Sequence, residues 1–110
     1  MNMYRLLFAT MILFNHTDAW ADGKALYEKK CAKCHGTTGA GDGSSSSLLA
    51  VKPTAFNDKA AMEKITDEEI FKAIKEGGTS VGKSKLMQAN PSLSDDDIKS
   101  LVKYVRSLAN

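Results

Sequence analysis

Apolar residues are distributed in two ways along this chain. Leu6 to Phe14 (LLFATMILF) is a nearly continuous run, broken only by Thr10. Beyond Asp22 apolar positions instead recur at helical intervals. Ile70, Phe71 and Ile74 form one stripe; Ile98, Leu101, Val102, Val105 and Leu108 form a longer one. Both stripes carry start signals. Thr66 is placed as an N-cap with Glu69 at N3, a capping box, and Ile65 and Ile70 match a hydrophobic staple. Gly77 marks the stop. In the second stripe Ser94 is the cap, Asp95 to Asp97 suit the positive end of the dipole, and Leu93 staples to Ile98. A first helix is predicted from Asp22, as its cap, through about Cys34, with Leu26, Tyr27 and Lys30 near one face. A short helix is predicted over Asp58 to Lys64. No segment alternates as a half-buried strand would. The expectation is an all-α fold of about four short helices and long loops.

The longest loop raises a packing question. Gly36 to Val51 is rich in glycine, contains Ser44 to Ser47, and reads as irregular. Pro53 restricts Lys52 to extended geometry. About 20 irregular residues in so small a domain require something to fill the middle.

The continuous apolar run has a different meaning. Nine residues cannot cross a bilayer as a helix, which takes about 20. With Arg5 before it, polar Asn15 to Asp18 after it and Ala19-Trp20-Ala21 as an A-x-A site, it reads as a secretory signal peptide, residues 1–21. The domain is then residues 22–110, exported and expected in the periplasm. No cysteine follows the cut and no second apolar run could span a membrane, so no stable membrane anchor is expected. The 110 residues allow one small domain, which excludes large barrel enzymes. A net charge of +2 gives no footprint for nucleic acid.

Removal of residues 1–21 takes away His16 and leaves two cysteines and one histidine, all in Cys31-Ala32-Lys33-Cys34-His35. This is C-x-x-C-H, the attachment motif of c-type haem. Each sulfur adds to a vinyl group as a thioether, and His35 follows as the proximal iron ligand. Other readings of the motif fit less well. A thioredoxin-like C-x-x-C expects a βαβ context. Structural zinc needs four ligands where three stand here. A plain Cys31–Cys34 disulfide leaves His35 unexplained. For the sixth position the candidates are Met62, Met87, a lysine or no protein ligand. Met62 lies near Phe56 and Ile65 in a short helix and reads as core. Met87 lies in the non-helical stretch Gly82 to Pro91, which can fold over the opposite face, and is the favoured distal ligand.

At these residues the chain resembles the small monohaem class I cytochromes c of bacterial periplasms, over nearly all of residues 22–110. Gly23 and Tyr27 stand eight and four residues before Cys31, like that family's first-helix glycine and aromatic. Leu101 and Tyr104 resemble the last-helix pair that crosses them, and Met87 matches the distal methionine. Pro53 resembles the proline whose carbonyl holds Nδ1–H of the proximal histidine. The resemblance implies a cytochrome c-like fold around one covalent haem c with its iron, and an electron carrier rather than an enzyme. The chain departs from many relatives after the methionine: Gln88 follows Met87 and proline comes only at Pro91. The alternative function is a haem sensor or peroxidase-like protein with an open sixth position.

Two further patterns need placing. Gly77 to Ser84 (GGTSVGKS) matches the P-loop pattern, but a capped helix precedes it and only six residues separate Ser84 from Pro91. A P-loop needs a strand before and a helix after, so no nucleotide is expected. Lys29, Lys30 and Lys33 flank the haem motif, Lys83 and Lys85 flank the distal loop, and acids gather at 67–69 and 95–97. This asymmetry suits steering toward an acidic patch on a redox partner protein. The chain itself is expected to be a monomer.

Overall fold

A computed structural model describes residues 19–109. Among them lie five α-helices: α1 (Ala19–Lys30), α2 (Ala32–His35), α3 (Lys59–Glu63), α4 (Asp67–Glu76) and α5 (Asp95–Ser107). Short 3₁₀ turns occupy Ser46–Leu48 and Gly78–Val81. No strand occurs among the described residues. Of the signal peptide read from the sequence, residues 1–18 lie outside them.

The caps form as the side-chain chemistry requires, with one difference. Asp58 Oδ1 accepts from Ala61 N–H at 3.2 Å and starts α3. Ser94 and Asp97 make a complete reciprocal box on α5: Ser94 Oγ accepts from Asp97 N–H at 3.1 Å, and Asp97 Oδ2 accepts from Ser94 N–H at 3.2 Å. On α4 only half of the box exists. Thr66 Oγ1 accepts from Glu69 N–H at 3.1 Å, while the Glu69 carboxylate turns to the threonine hydroxyl at 3.4 Å. Gly77 closes α4 at φ 92°, donating to Ala73 O at 2.9 Å. A side chain is strained at that φ, so the stop needs glycine.

The helix read as continuous to about Cys34 is two helices, and Asp22 lies in the first turn of α1 rather than before it. The helix is interrupted at Cys31, whose φ of −118° and ψ of −34° lie at the edge of the right-handed helical region. The cause is a long-range tie: Tyr27 Oη donates to Gly36 O at 2.6 Å. In a straight helix these residues would lie about 13 Å apart along the axis, beyond a phenol's reach. The chain therefore bends at Cys31.

The core is formed by Tyr27, Met62, Ile70, Ile74, Ile98, Leu101, Val102, Tyr104 and Val105. α1 crosses α5 where Gly23 lets the backbones meet; a Cβ there would lie 2.3 Å from Ser100 O. One turn on, the Tyr27 and Tyr104 rings pack at 5.2 Å between centroids. α4 lays Ile70 and Ile74 against the same core. Arg106 ties α3 and α4 to α5: it donates to Met62 O at 2.7 Å and to Ile65 O, and its Nε meets Asp67 Oδ1 at 2.7 Å.

Candidate functional site

The site begins at the bend. Cys31, just before α2, and Cys34, within it, are free, half-buried thiols. Burial pushes the Cys31 thiol up to about 11; Lys30 opposes this and Cys34 adds to it. A reactive dithiol needs a depressed pKa, so Cys31 does not suit a thioredoxin-like role. Nor does the motif form a metal cluster with neighbouring acids: among the described residues no three His, Cys, Asp or Glu side chains are grouped to hold an ion.

His35, the last residue of α2, is held from two sides. Its ring stacks on Phe56 at 4.2 Å between centroids and 15° between planes. Its Nδ1 lies 3.4 Å from Thr54 O. Burial lowers its pKa, an effect the Thr54 carbonyl partly opposes, so the neutral imidazole is favoured. With Nδ1–H directed at a carbonyl, Nε2 carries the free lone pair, the form in which a histidine ligates a metal.

The acceptor corrects one expectation. It is Thr54 O, not Pro53 O, that faces His35. The Pro53 carbonyl is directed at Gly41 instead, 2.9 Å from where a Cβ would stand. Successive carbonyls of an extended segment point in opposite directions, so a one-residue change of register exchanges them. No side-chain pattern could have revealed a backbone acceptor; Phe56 was visible as an aromatic but not as a stacking partner.

Met62 and Met87 have different surroundings. Met62 is 1% exposed inside the core. Met87 is half-buried on the loop between α4 and α5 and packs at the edge of that core. Its carbonyl accepts from Gly78 N–H at 2.8 Å. The P-loop-like stretch is here a 3₁₀ turn after a helix, with no strand before it.

The donor set fits covalent haem: two thiols three residues apart and a neutral imidazole oriented through its distal nitrogen. The exposed large hydrophobic residues point the same way. Leu48 (76% exposed) and Val51 (75%) lie in the loop after the motif, and Leu86 (54%) precedes Met87. A family model described as cytochrome c oxidase, cbb3-type, subunit III matches residues 18–105. The chain belongs to this family.

It is a small class I cytochrome c, and membership implies a covalently bound haem c with its iron and haem-based electron transfer. Solved structures agree with the fold of this cytochrome. It is similar to a protein named KustC0563 c-type cytochrome, with 29% identity and TM-score 0.66 over 81% of this chain and 99% of that one. It is also similar to a chain of the Kuenenia stuttgartiensis reducing HAO-like protein complex Kustc0457/Kustc0458, with 28% identity and TM-score 0.67. That match takes in 92% of this cytochrome but 48% of the other chain, so this chain spans about half of its length. No curated protein matches the cytochrome.

Around the motif Lys29, Lys30 and Lys33 are exposed, as are Lys83 and Lys85 on the Met87 loop. The acidic clusters lie at the first turns of α4 and α5. There they complement the helix dipoles, and Asp67 and Asp95 also pair with Arg106 and Lys75.

Proposed function

We propose that this cytochrome is a monohaem electron carrier with His35 and Met87 as axial ligands and Cys31 and Cys34 as the thioether attachments. The observation that carries this reading is His35: stacked on Phe56, with Nδ1 facing the Thr54 carbonyl, and next to two thiols at the attachment spacing. When bound, the haem supplies a one-electron iron couple. Cys31 and Cys34 anchor it at the bend between α1 and α2. Thr54 O orients the His35 ring and raises its basicity. Met87 offers a thioether, which favours the ferrous state and raises the potential. Burial of Met62 in the core supports the choice of Met87 over Met62. One electron is taken from a donor and passed to an acceptor, with no substrate bond made or broken.

Export to the periplasm, with cleavage after Ala21, is part of this reading. It is supported by the LLFATMILF run, the A-W-A site and a motif whose haem is attached outside the bacterial cytoplasm. The exposed lysines suit a redox partner with an acidic patch, and the likeness to a chain of a reducing HAO-like complex supports partner proteins.

The test is the purified full chain. A pyridine haemochrome assay with intact mass should give one covalent haem and an N-terminus at Asp22. The native protein should bind carbon monoxide slowly, and Met87→Ala promptly. Prompt binding by the native protein would favour the sensor or peroxidase-like reading instead.

A further inference from the structure

Gly78 occupies an unusual place in the distal loop. Its N–H donates to Met87 O at 2.8 Å and its carbonyl accepts from Lys83 N–H, also at 2.8 Å. Two segments of the loop therefore close on one residue, the first of the 3₁₀ turn that follows α4. The approach is so close that only glycine fits: a Cβ at Gly78 would lie 2.1 Å from Ser84 O and 3.1 Å from Met87 Cβ. Gly78 is buried. Beyond Met87 a second tie fixes the other end. Asn90 gives both its backbone N–H (3.1 Å) and its Nδ2 (2.9 Å) to Ile74 O. Ile74 belongs to the core on α4. Ile74 of α4 thus offers a carbonyl that Asn90 satisfies, and Gly78 of the turn after it an amide that Met87 satisfies.

This arrangement answers the departure seen in the sequence. Gln88 follows Met87, so no proline stiffens the chain at that point. Stiffness comes instead from α4 and the turn after it, through hydrogen bonds at the methionine and three residues beyond it. We infer that Gly78 and Asn90 are positioning residues for Met87, holding its thioether in place as a ligand. The inference rests on the reading of Met87 as the distal ligand. Net hydrogen-bond free energies of about 0.5–1.5 kcal/mol correspond to roughly two- to tenfold in an equilibrium. Loss of either tie should raise the population with Met87 withdrawn by a factor of that order.

The test uses the haem-loaded full chain with Gly78→Ala, Asn90→Ala and Met87→Ala. The readouts are the far-red thioether-to-ferric charge-transfer band, the rate of carbon monoxide binding to the reduced protein, the midpoint potential and amide exchange at residue 78. Both positioning variants should bind carbon monoxide up to about tenfold faster, weaken the band and lower the potential, because a thioether releases ferric iron more readily than ferrous. Asn90→Ala should also speed exchange at the Gly78 amide. If Gly78→Ala loses its helical circular dichroism, Asn90→Ala alone decides. The inference is overturned if Met87→Ala abolishes the band while the folded positioning variants keep the native band, binding rate and potential. Retention of the band in Met87→Ala would instead overturn the ligand assignment, and this inference with it.

Discussion

Gly23→Ala sets two effects against each other at the α1–α5 crossing. Alanine is the better helix former by about 1 kcal/mol, so intrinsic propensity alone makes the substitution stabilising. Packing opposes it. The new Cβ would stand 2.3 Å from Ser100 O, 2.9 Å from Ser100 C and 3.0 Å from Tyr104 Cβ. These are backbone atoms and the root of a buried ring, so no rotamer change relieves the overlap. Ordinary contact begins near 3.4 Å, and the helices must separate by about 1 Å to reach it. A gap of that size loses about a quarter to a half of each dispersion contact across the crossing, including the Tyr27–Tyr104 ring pair.

Overpacking of this kind costs about 1–3 kcal/mol, and an obstacle made of backbone places Gly23 at the upper end. After the propensity gain the expected loss is about 2 kcal/mol, or a fall in Tm of roughly 8–16 °C for a domain of this size. Thermal unfolding of the haem-loaded protein, followed by far-ultraviolet circular dichroism, measures it. Ala25→Gly at an exposed position of α1 calibrates propensity separately and should cost about 1 kcal/mol. A Gly23→Ala protein as stable as the native one, or more so, would refute the close crossing.

Three other outcomes are expected. Met62→Ala removes a fully buried side chain and should cost about 3 kcal/mol in urea unfolding, with the optical spectrum unchanged; a lost axial-ligand signature would show that the wrong methionine was set aside. Arg106→Ala leaves the Met62 and Ile65 carbonyls without this donor and should cost about 2 kcal/mol. Arg106→Lys, with no fork to reach both, should recover less than half, and full recovery in urea titrations would contradict the clamp. Tyr27 has a pKa raised by burial, with Cys31 and Tyr104 adding to it. Its folded value exceeds its unfolded one, so its contribution is complete below about pH 10 and is lost as pH rises above that. Urea midpoints measured between neutral and strongly alkaline pH should fall less steeply for Tyr27→Phe than for the native protein; parallel slopes would contradict this.

The helices α3, α4 and α5 were legible because their signals are local. Asp58, Thr66 and Ser94 act on amides three residues away, and Gly77 acts on its own backbone. The core stripes were legible because helical periodicity and burial coincide at Ile70, Ile74, Ile98, Leu101, Val102 and Val105. What could not be read depends on chain segments far apart in sequence. The bend at Cys31 answers a hydrogen bond from Tyr27 to Gly36, a partner that no capping rule reaches. Thr54 replaces Pro53 because a carbonyl's direction follows backbone register rather than residue type. Glu69 leaves its capping box half-made, since an exposed carboxylate has water as an equal alternative for the second bond. The motif stands out in the sequence because C-x-x-C-H prescribes both residue types and their spacing.

The structure also shows why a helical core this small tolerates such loops. The buried hydrophobic residues all belong to α1, α3, α4 and α5, and the buried residues between Cys34 and Asp58 are glycines. That segment is held by backbone hydrogen bonds, Gly41 N–H to His35 O, Gly43 N–H to Cys34 O and Ser45 N–H to Lys33 O, which fold it back against α2. Its apolar side chains Leu48 and Val51 remain in solvent. Burying a leucine or valine contributes about 1.5–3 kcal/mol, so leaving both exposed forgoes a sizeable fraction of a small domain's stability. Leu86 is exposed in the same way beside Met87. The helices therefore complete one core among themselves, and the loop after the C-x-x-C-H motif and the loop that holds Met87 retain apolar surface for the covalent group that the family binds.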